Sequence, residues 1–216
     1  MISDEMVKNS IRMGRDRFFS WLKRNNLLVR PKRSYVRTTD SSHRFWVYEN
    51  LSKDLELTRA NQLWVSDITY LRTLEGFCYL ALITDAYSRK IVGYDVSDSL
   101  ELEGCKRALQ QAIQTVEAPR SLIHHSDRGI QYCSGAYTTL LTAKGVRISM
   151  AAKGDCYENA LAERVNGILK SEFNMDATFR NKDLAIAAAH QSIYIYNQHR
   201  PHWSINLETP NAKHAA

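Results

Sequence analysis

The chain has 216 residues, 44% of them hydrophobic, enough for one sizeable core and a smaller appendage. No run of about 18 apolar residues is present to span a membrane, and the opening Met1-Ile2-Ser3-Asp4-Glu5 lacks the apolar stretch of a secretory signal, so the protein is expected in the cytosol. The net charge of +6 is uneven: residues 1–44 carry 11 basic against 4 acidic side chains, and the rest of the chain 18 against 19. A basic segment set apart in this way points either to a polyanionic partner, most often nucleic acid, or to a solvated surface arm.

Residues 1–27 predict a small basic helical segment. Val7, Ile11, Phe18, Phe19 and Leu22 form a rough apolar stripe that Gly14 interrupts, which allows two short helices. Residues 28–59 read as a basic linker, marked by Pro31 and a polar run without period, with Lys32, Arg33 and Arg37 as candidate DNA contacts. The aromatics Tyr35, Phe45, Trp46 and Tyr48 can stack on bases or pack on the neighbouring domain, and packing is the expected role.

Residues 60–175 form the core domain, completed by a helix and tail over 176–216. LWVSDITYL, FCYLALITDAY and KIVGYDV are rich in β-branched and aromatic residues and close together, as three antiparallel strands would be. A helix from Leu100 to Val116, a strand at SLIHHSD, a helix from Ser134 to Lys144 and a short strand at VRISM follow. Helices at Glu158–Phe173 and Lys182–Tyr196 come last. Such an order predicts one α/β domain built on a mixed sheet. Cys78, Cys105, Cys133 and Cys156 are scattered with no Cys-x-x-Cys pair, which predicts reduced thiols rather than a disulfide framework or zinc site.

Three acids occupy unusual places. Asp67 lies inside the first strand among Trp64, Val65, Ile68 and Tyr70, where a carboxylate is costly unless paired or metal-bound. Asp127 ends the fourth strand, where sites gather in α/β sheets. Glu163 sits on a helix between Leu161 and Val165. Singly, each has an ordinary structural reading; Asp127, for example, could simply open a turn. Together they have a chemical one. Phosphodiester transfer can be served by two magnesium ions about 3.5–4 Å apart, and hard cations take oxygen ligands. Two carboxylates about 4 Å apart repel by about 4 kcal/mol at an effective dielectric of 20, so a converging cluster calls for a cation.

Asp127 and Glu163 have 35 residues between them, and Lys170 follows the glutamate by seven. With NQLWVSDITYL, ITDAYSRKIVGY, IHHSDRGIQY, SMAAKGDCYENALAERVNGILKSEF and YNQHRPHWSINLETP in order, the chain resembles the retroviral integrase superfamily. Within it, the chain looks most like the second-frame transposase of the two-frame bacterial insertion sequences, group three. The resemblance spans about residues 15–210. It implies an RNase H-like fold, a five-stranded mixed sheet flanked by helices, and two Mg2+ or Mn2+ ions held by Asp67, Asp127 and Glu163 as catalytic ligands. It also implies double-stranded DNA, element ends and target, as substrate. Water first frees a 3′-hydroxyl, which then attacks a second phosphodiester without a covalent enzyme intermediate. The first-frame protein and further copies of the chain on DNA are the implied partners, in a bacterial cytoplasm beside the nucleoid.

Helix geometry adds detail. Positions seven apart share a face about 10 Å along the axis, so Lys170 is too far to serve the metals and suits a DNA phosphate. Asn159, four before Glu163, shares that face and is expected to bond to Glu163 or to DNA. Lys153 and Gly154 are expected in a loop over DNA, Asp85 and Asp155 in structural roles, and His124 and His125 as one core and one surface residue. The family's basic module is usually longer at the front, so a second reading is a DNA-binding remnant without catalysis. A third, a ribonuclease H-like hydrolase, is disfavoured by the quoted strings.

Overall fold

The computed structural model describes residues 13–28, 45–116, 121–152 and 159–216. Lys32, Arg33, Arg37, Lys153, Gly154, Asp155 and Tyr35 lie outside the described residues. The elements in chain order are α1 (Arg15–Arg24), β1 (Leu63–Thr73), β2 (Gly76–Asp85), β3 (Ile91–Ser97), α2 (Leu102–Gln114) and β4 (Ile123–Ser126). They continue with α3 (Ile130–Cys133), α4 (Gly135–Ala143), β5 (Arg147–Met150), α5 (Ala160–Glu172), β6 (Thr178–Phe179) and α6 (Lys182–Gln198). A 3-10 turn (Trp203–Ile205) and α7 (Pro210–Ala215) end the chain. None of the described helices is long and apolar enough to cross a membrane.

The sheet runs β3-β2-β1-β4-β5, with β6 added to β1. The first three strands are antiparallel, as their close spacing predicts, whereas β4 and β6 lie parallel to β1, and β5 parallel to β4. Six strands therefore replace the expected five. The extra one is only two residues, Thr178 and Phe179 against Arg72 and Thr73, too short for any alternation to show in sequence.

Both faces of the sheet are covered. On one face Ala81 and Ile83 of β2 pack with Cys105, Leu109, Tyr137 and Leu141 from α2 and α4. On the other, Leu80 and Leu82 pack with Val165, Ile168, Leu169 and Ile193 from α5 and α6. Burial on both sides makes β2 a continuous apolar run. Tyr48 packs against the first cluster, while Trp46 is 77% exposed and Phe45 45% exposed. Packing is thus the role of Tyr48 but not of Trp46.

Asp85 takes the structural role expected of it. It is fully buried at the end of β2, where it accepts from Asn61 N at 2.7 Å and from Ser88 N and Oγ at 2.7 and 2.6 Å. Burial alone would raise its carboxyl, but the bonds from His214 and Ser88 hold it below the usual range. His214 lies on α7, so this carboxylate ties the end of the chain to the sheet. Asn197 of α6 adds a second tie, bonding both the N–H and the carbonyl of Ile91 at 2.9 Å.

Helix α2 approaches β3 closely. A Cβ on Gly93 would stand 2.2 Å from the Ala108 carbonyl oxygen and 2.8 Å from Ala112 Cβ, so only glycine lets the helix sit there. Gly93→Ala is expected to cost about 1–3 kcal/mol by overpacking. A urea midpoint equal to wild type would show that the helix can move away freely.

Candidate active site

The register of two parallel strands builds the floor of the site. β1 and β4 pair from Leu63↔Ile123 to Ser66↔Ser126, and Asp67 and Asp127 are the next residues on each. Neighbouring strands lie about 4.8 Å apart, so the pairing delivers two carboxylates side by side at the end of β4. Both line one cleft with Tyr70, Leu100, Gln131 and Tyr132.

Each carboxylate is held by local bonds. Asp67 Oδ1 accepts from Ile68 N at 2.9 Å, and its Oδ2 accepts from Asn166 Nδ2 of α5 at 2.7 Å. Asp127 Oδ1 accepts from Gly129 N at 2.9 Å, which turns the chain into α3, and Arg128 Nε donates to Ala151 O at 2.8 Å, fastening that turn to the end of β5. Glu163 enters from the first turn of α5 and is exposed.

The three acids feel one another. Burial raises the Asp67 carboxyl to about 7, the charge of Asp127 adds to the rise, and Glu163 contributes a smaller increment that the bonds from Asn166 and Ile68 oppose. Burial, then Asp127, also raises Glu163. Among the described residues, however, no three His, Cys, Asp or Glu side chains stand close enough to hold a metal ion, these three included. Like charges in a partly desolvated cleft favour separation, and the bonds to Asn166 and Gly129 give Asp67 and Asp127 other partners.

Asn166 was not among the residues expected at the site. Its signal was available, since it is a polar residue flanked by Val165 and Ile168 on the buried side of a helix, and it is only 6% exposed. Asn159 lies at the start of α5, 5% exposed, with Nδ2 donating to the Ser66 carbonyl at 3.2 Å. Its amide is therefore turned to β1 rather than to Glu163. Lys170 lies with Nζ 4.3 Å from the centre of the Tyr70 ring.

His124 and His125 differ from expectation, because both are buried. Alternation does send them to opposite faces, but α4 meets His124 on one and the irregular segment around Ser52 meets His125 on the other. His124 Nε2 lies 2.7 Å from Ser66 Oγ and 3.0 Å from the Tyr137 hydroxyl. Burial, helped by His125, lowers it to about 3, so it is neutral beneath the site. His125 Nδ1 lies 2.8 Å from Ser149 Oγ and 3.2 Å from Ser52 Oγ, a link to the segment before the core.

Comparison with known proteins places this geometry in context. Two Integrase core domain families match, one over residues 58–156 and the other over 144–210. The insertion element IS600 31 kDa protein of Shigella sonnei is 38% identical over 98% of this chain and 78% of its own. Transposase InsF for insertion sequence IS3A of Escherichia coli is 37% identical over 84% of this chain, which spans 64% of its length. Among solved structures, the HTLV-2 integrase catalytic core domain in complex with magnesium aligns with a TM-score of 0.58 at 21% identity, covering 72% of this chain and 97% of that one. The shared architecture is the RNase H-like fold expected from the motifs.

The raised Asp67 carboxyl has a consequence for stability. A native carboxyl above its unfolded value of about 3.9 favours folding while protonated. The contribution is present below that value and lost as pH rises toward about 7. In metal-free protein the thermal midpoint is expected to fall across that interval, with Glu163 acting in the same direction. Asp67→Asn should remove most of the fall and raise the midpoint at pH 8 by a few degrees. An equal fall in the variant would place the cause elsewhere.

Proposed function

Because the chain belongs to the integrase-core transposase family of bacterial insertion sequences, we propose that it cleaves and rejoins DNA strands at the ends of its element through Asp67, Asp127 and Glu163. The observation that carries this reading is the adjacency of Asp67 and Asp127 just past the last pair of β1 with β4, with the Glu163 carboxyl raised by burial and then by the charge of Asp127. The donor set fits a hard divalent cation. All three groups are carboxylates, and the Asp67 carboxyl, raised by burial and then by the charge of Asp127, sits where a nearby positive charge would favour its ionised form. Two Mg2+ or Mn2+ ions held by the three acids would polarise the scissile phosphate and help both the attacking and the leaving oxygen.

The remaining work falls to the chain. Asn166 fixes one oxygen of Asp67 and leaves the carboxylate facing the cleft. Asn159 ties the start of α5 to Ser66, the residue before Asp67. Lys170, on the Glu163 face of α5, holds a DNA phosphate beside the acids. Lys32, Arg33 and Arg37 extend the DNA contact along the basic linker. An attacking water oxygen forms a bond to phosphorus as the bond to the 3′-oxygen breaks. That freed hydroxyl then repeats the attack on a second phosphodiester, so neither step needs a covalent enzyme intermediate. Joining two element ends calls for self-association on DNA, with the first-frame protein as the end-recognition partner, in the cytoplasm beside the nucleoid.

With Mn2+ and labelled element-end duplex, the protein is expected to nick and join strands, and Asp67→Asn and Glu163→Gln should each reduce this to background. Metal-dependent joining that survives both substitutions would sink the assignment. DNA binding with a steep salt dependence but no joining in Mg2+ or Mn2+ would instead favour the binding remnant.

A further inference from the structure

The edge of β1 beside the acids is open among the described residues. β4 stops at Ser66 and β6 begins at Arg72, so neither pairs with residues 67–71. Within this gap stands Tyr70, which lines the cleft that holds Asp67 and Asp127. Alternation turns its side chain to the sheet face opposite Leu71, yet Leu71 packs with Ile168 and Leu169 of α5, the helix that carries Lys170. The Lys170 side chain therefore wraps round the open edge to bring Nζ to 4.3 Å from the Tyr70 ring centre.

A second cation meets the same ring. Arg72, exposed and two residues further along β1, places its guanidinium carbon 5.8 Å from the ring centre. Phe77, directly across the hairpin from Arg72, props Tyr70 edge-on with ring centres 5.5 Å apart at 83°. Two cations drawn from different elements to one ring gain from it but repel each other. An anion lying along them removes the repulsion, and the ring limits where each cation can go.

We infer that Lys170 and Arg72, gathered by Tyr70, form a two-cation clamp for consecutive phosphodiesters of the DNA strand that leaves the acid cleft over the β1–β2 hairpin. Tyr70 is the positioning residue, acting through both cations, and Arg72 is a DNA contact that the motif around Glu163 does not include. This inference rests on the proposed DNA-processing role of the cleft but concerns binding, which can be read without catalysis.

The test measures anisotropy of a fluorescein-labelled 30-base-pair duplex of arbitrary sequence against the full chain in EDTA across a salt series. Each phosphate contact contributes about 0.9 to the slope of log affinity against log salt. Arg72→Gln is expected to lower that slope by about 0.9. Tyr70→Leu removes no charge, yet is expected to weaken binding by about threefold to tenfold at fixed salt. Tyr70→Phe keeps the ring and is expected to restore most of that loss. In a Lys170→Gln/Arg72→Gln background, Tyr70→Leu should add nothing.

An unchanged slope for Arg72→Gln overturns the clamp, as does a Tyr70→Leu loss that persists in the doubly substituted background. Thermal midpoints report whether Tyr70→Leu folds. If it does not, Arg72→Gln, at an exposed position, decides alone. Should the wild type join strands with metal while Arg72→Gln keeps its slope, the clamp fails and the catalytic reading stands. The expected slope change without metal-dependent joining upholds the clamp and overturns the catalytic reading.

Discussion

Parallel pairing of β1 with β4 is the constraint on which the rest of the site depends. It holds only four residue pairs and ends at Ser66↔Ser126, with an acid immediately beyond each serine. Both serines are buried, and a buried hydroxyl needs a partner to be tolerated. Ser66 finds one in neutral His124, which Tyr137 of α4 also meets. Ser126 donates to the Asp127 carbonyl. The polar layer under the acids therefore fixes the last pair of β1 with β4, whose next residues repel each other. The apolar cores on either face supply the stability that lets this repulsion persist.

Helix α5 is matched to those same residues. Asn159 bonds the Ser66 carbonyl and Asn166 bonds the Asp67 carboxylate, so two asparagines seven positions apart meet two consecutive residues of β1. Seven residues return to nearly the same helical face, about 10 Å along the axis. Glu163 lies between them, four after the first and three before the second, and Lys170 continues the line. One helical stripe thus carries the docking groups, the third acid and the cation that reaches Tyr70. A change in the tilt of α5 would move all of them together, which links the packing of Val165, Ile168 and Leu169 to the geometry of the site.

Much of this was legible before the structure. The three long strands, the four principal helices and the acids at 67, 127 and 163 stand where alternation, period and spacing put them. The missing parts have physical reasons. β6 is too short to carry a pattern, and its two residues gain their strand character only from the Arg72–Thr73 edge they meet. His125 is as polar in sequence as a surface histidine, yet Ser52 and Ser149 cover it from elements 73 and 24 residues away. Asn166 belongs to the apolar period of α5 and announces itself only through that mismatch. Trp46 shows the opposite failure, a large aromatic that composition sends inward and the structure leaves in solvent.

The central claim is that Asp67 and Asp127, set side by side by β1 and β4, share a divalent cation with Glu163. Anomalous scattering from crystals soaked in Mn2+ tests it most directly. The account predicts a peak in the cleft within direct bonding distance of both Asp67 and Asp127 carboxylate oxygens, roughly 2.0–2.3 Å for a small hard cation, and absent in Asp67→Asn crystals. A fully soaked wild-type crystal with no peak there, or with the ion bound away from Asp67, would contradict it.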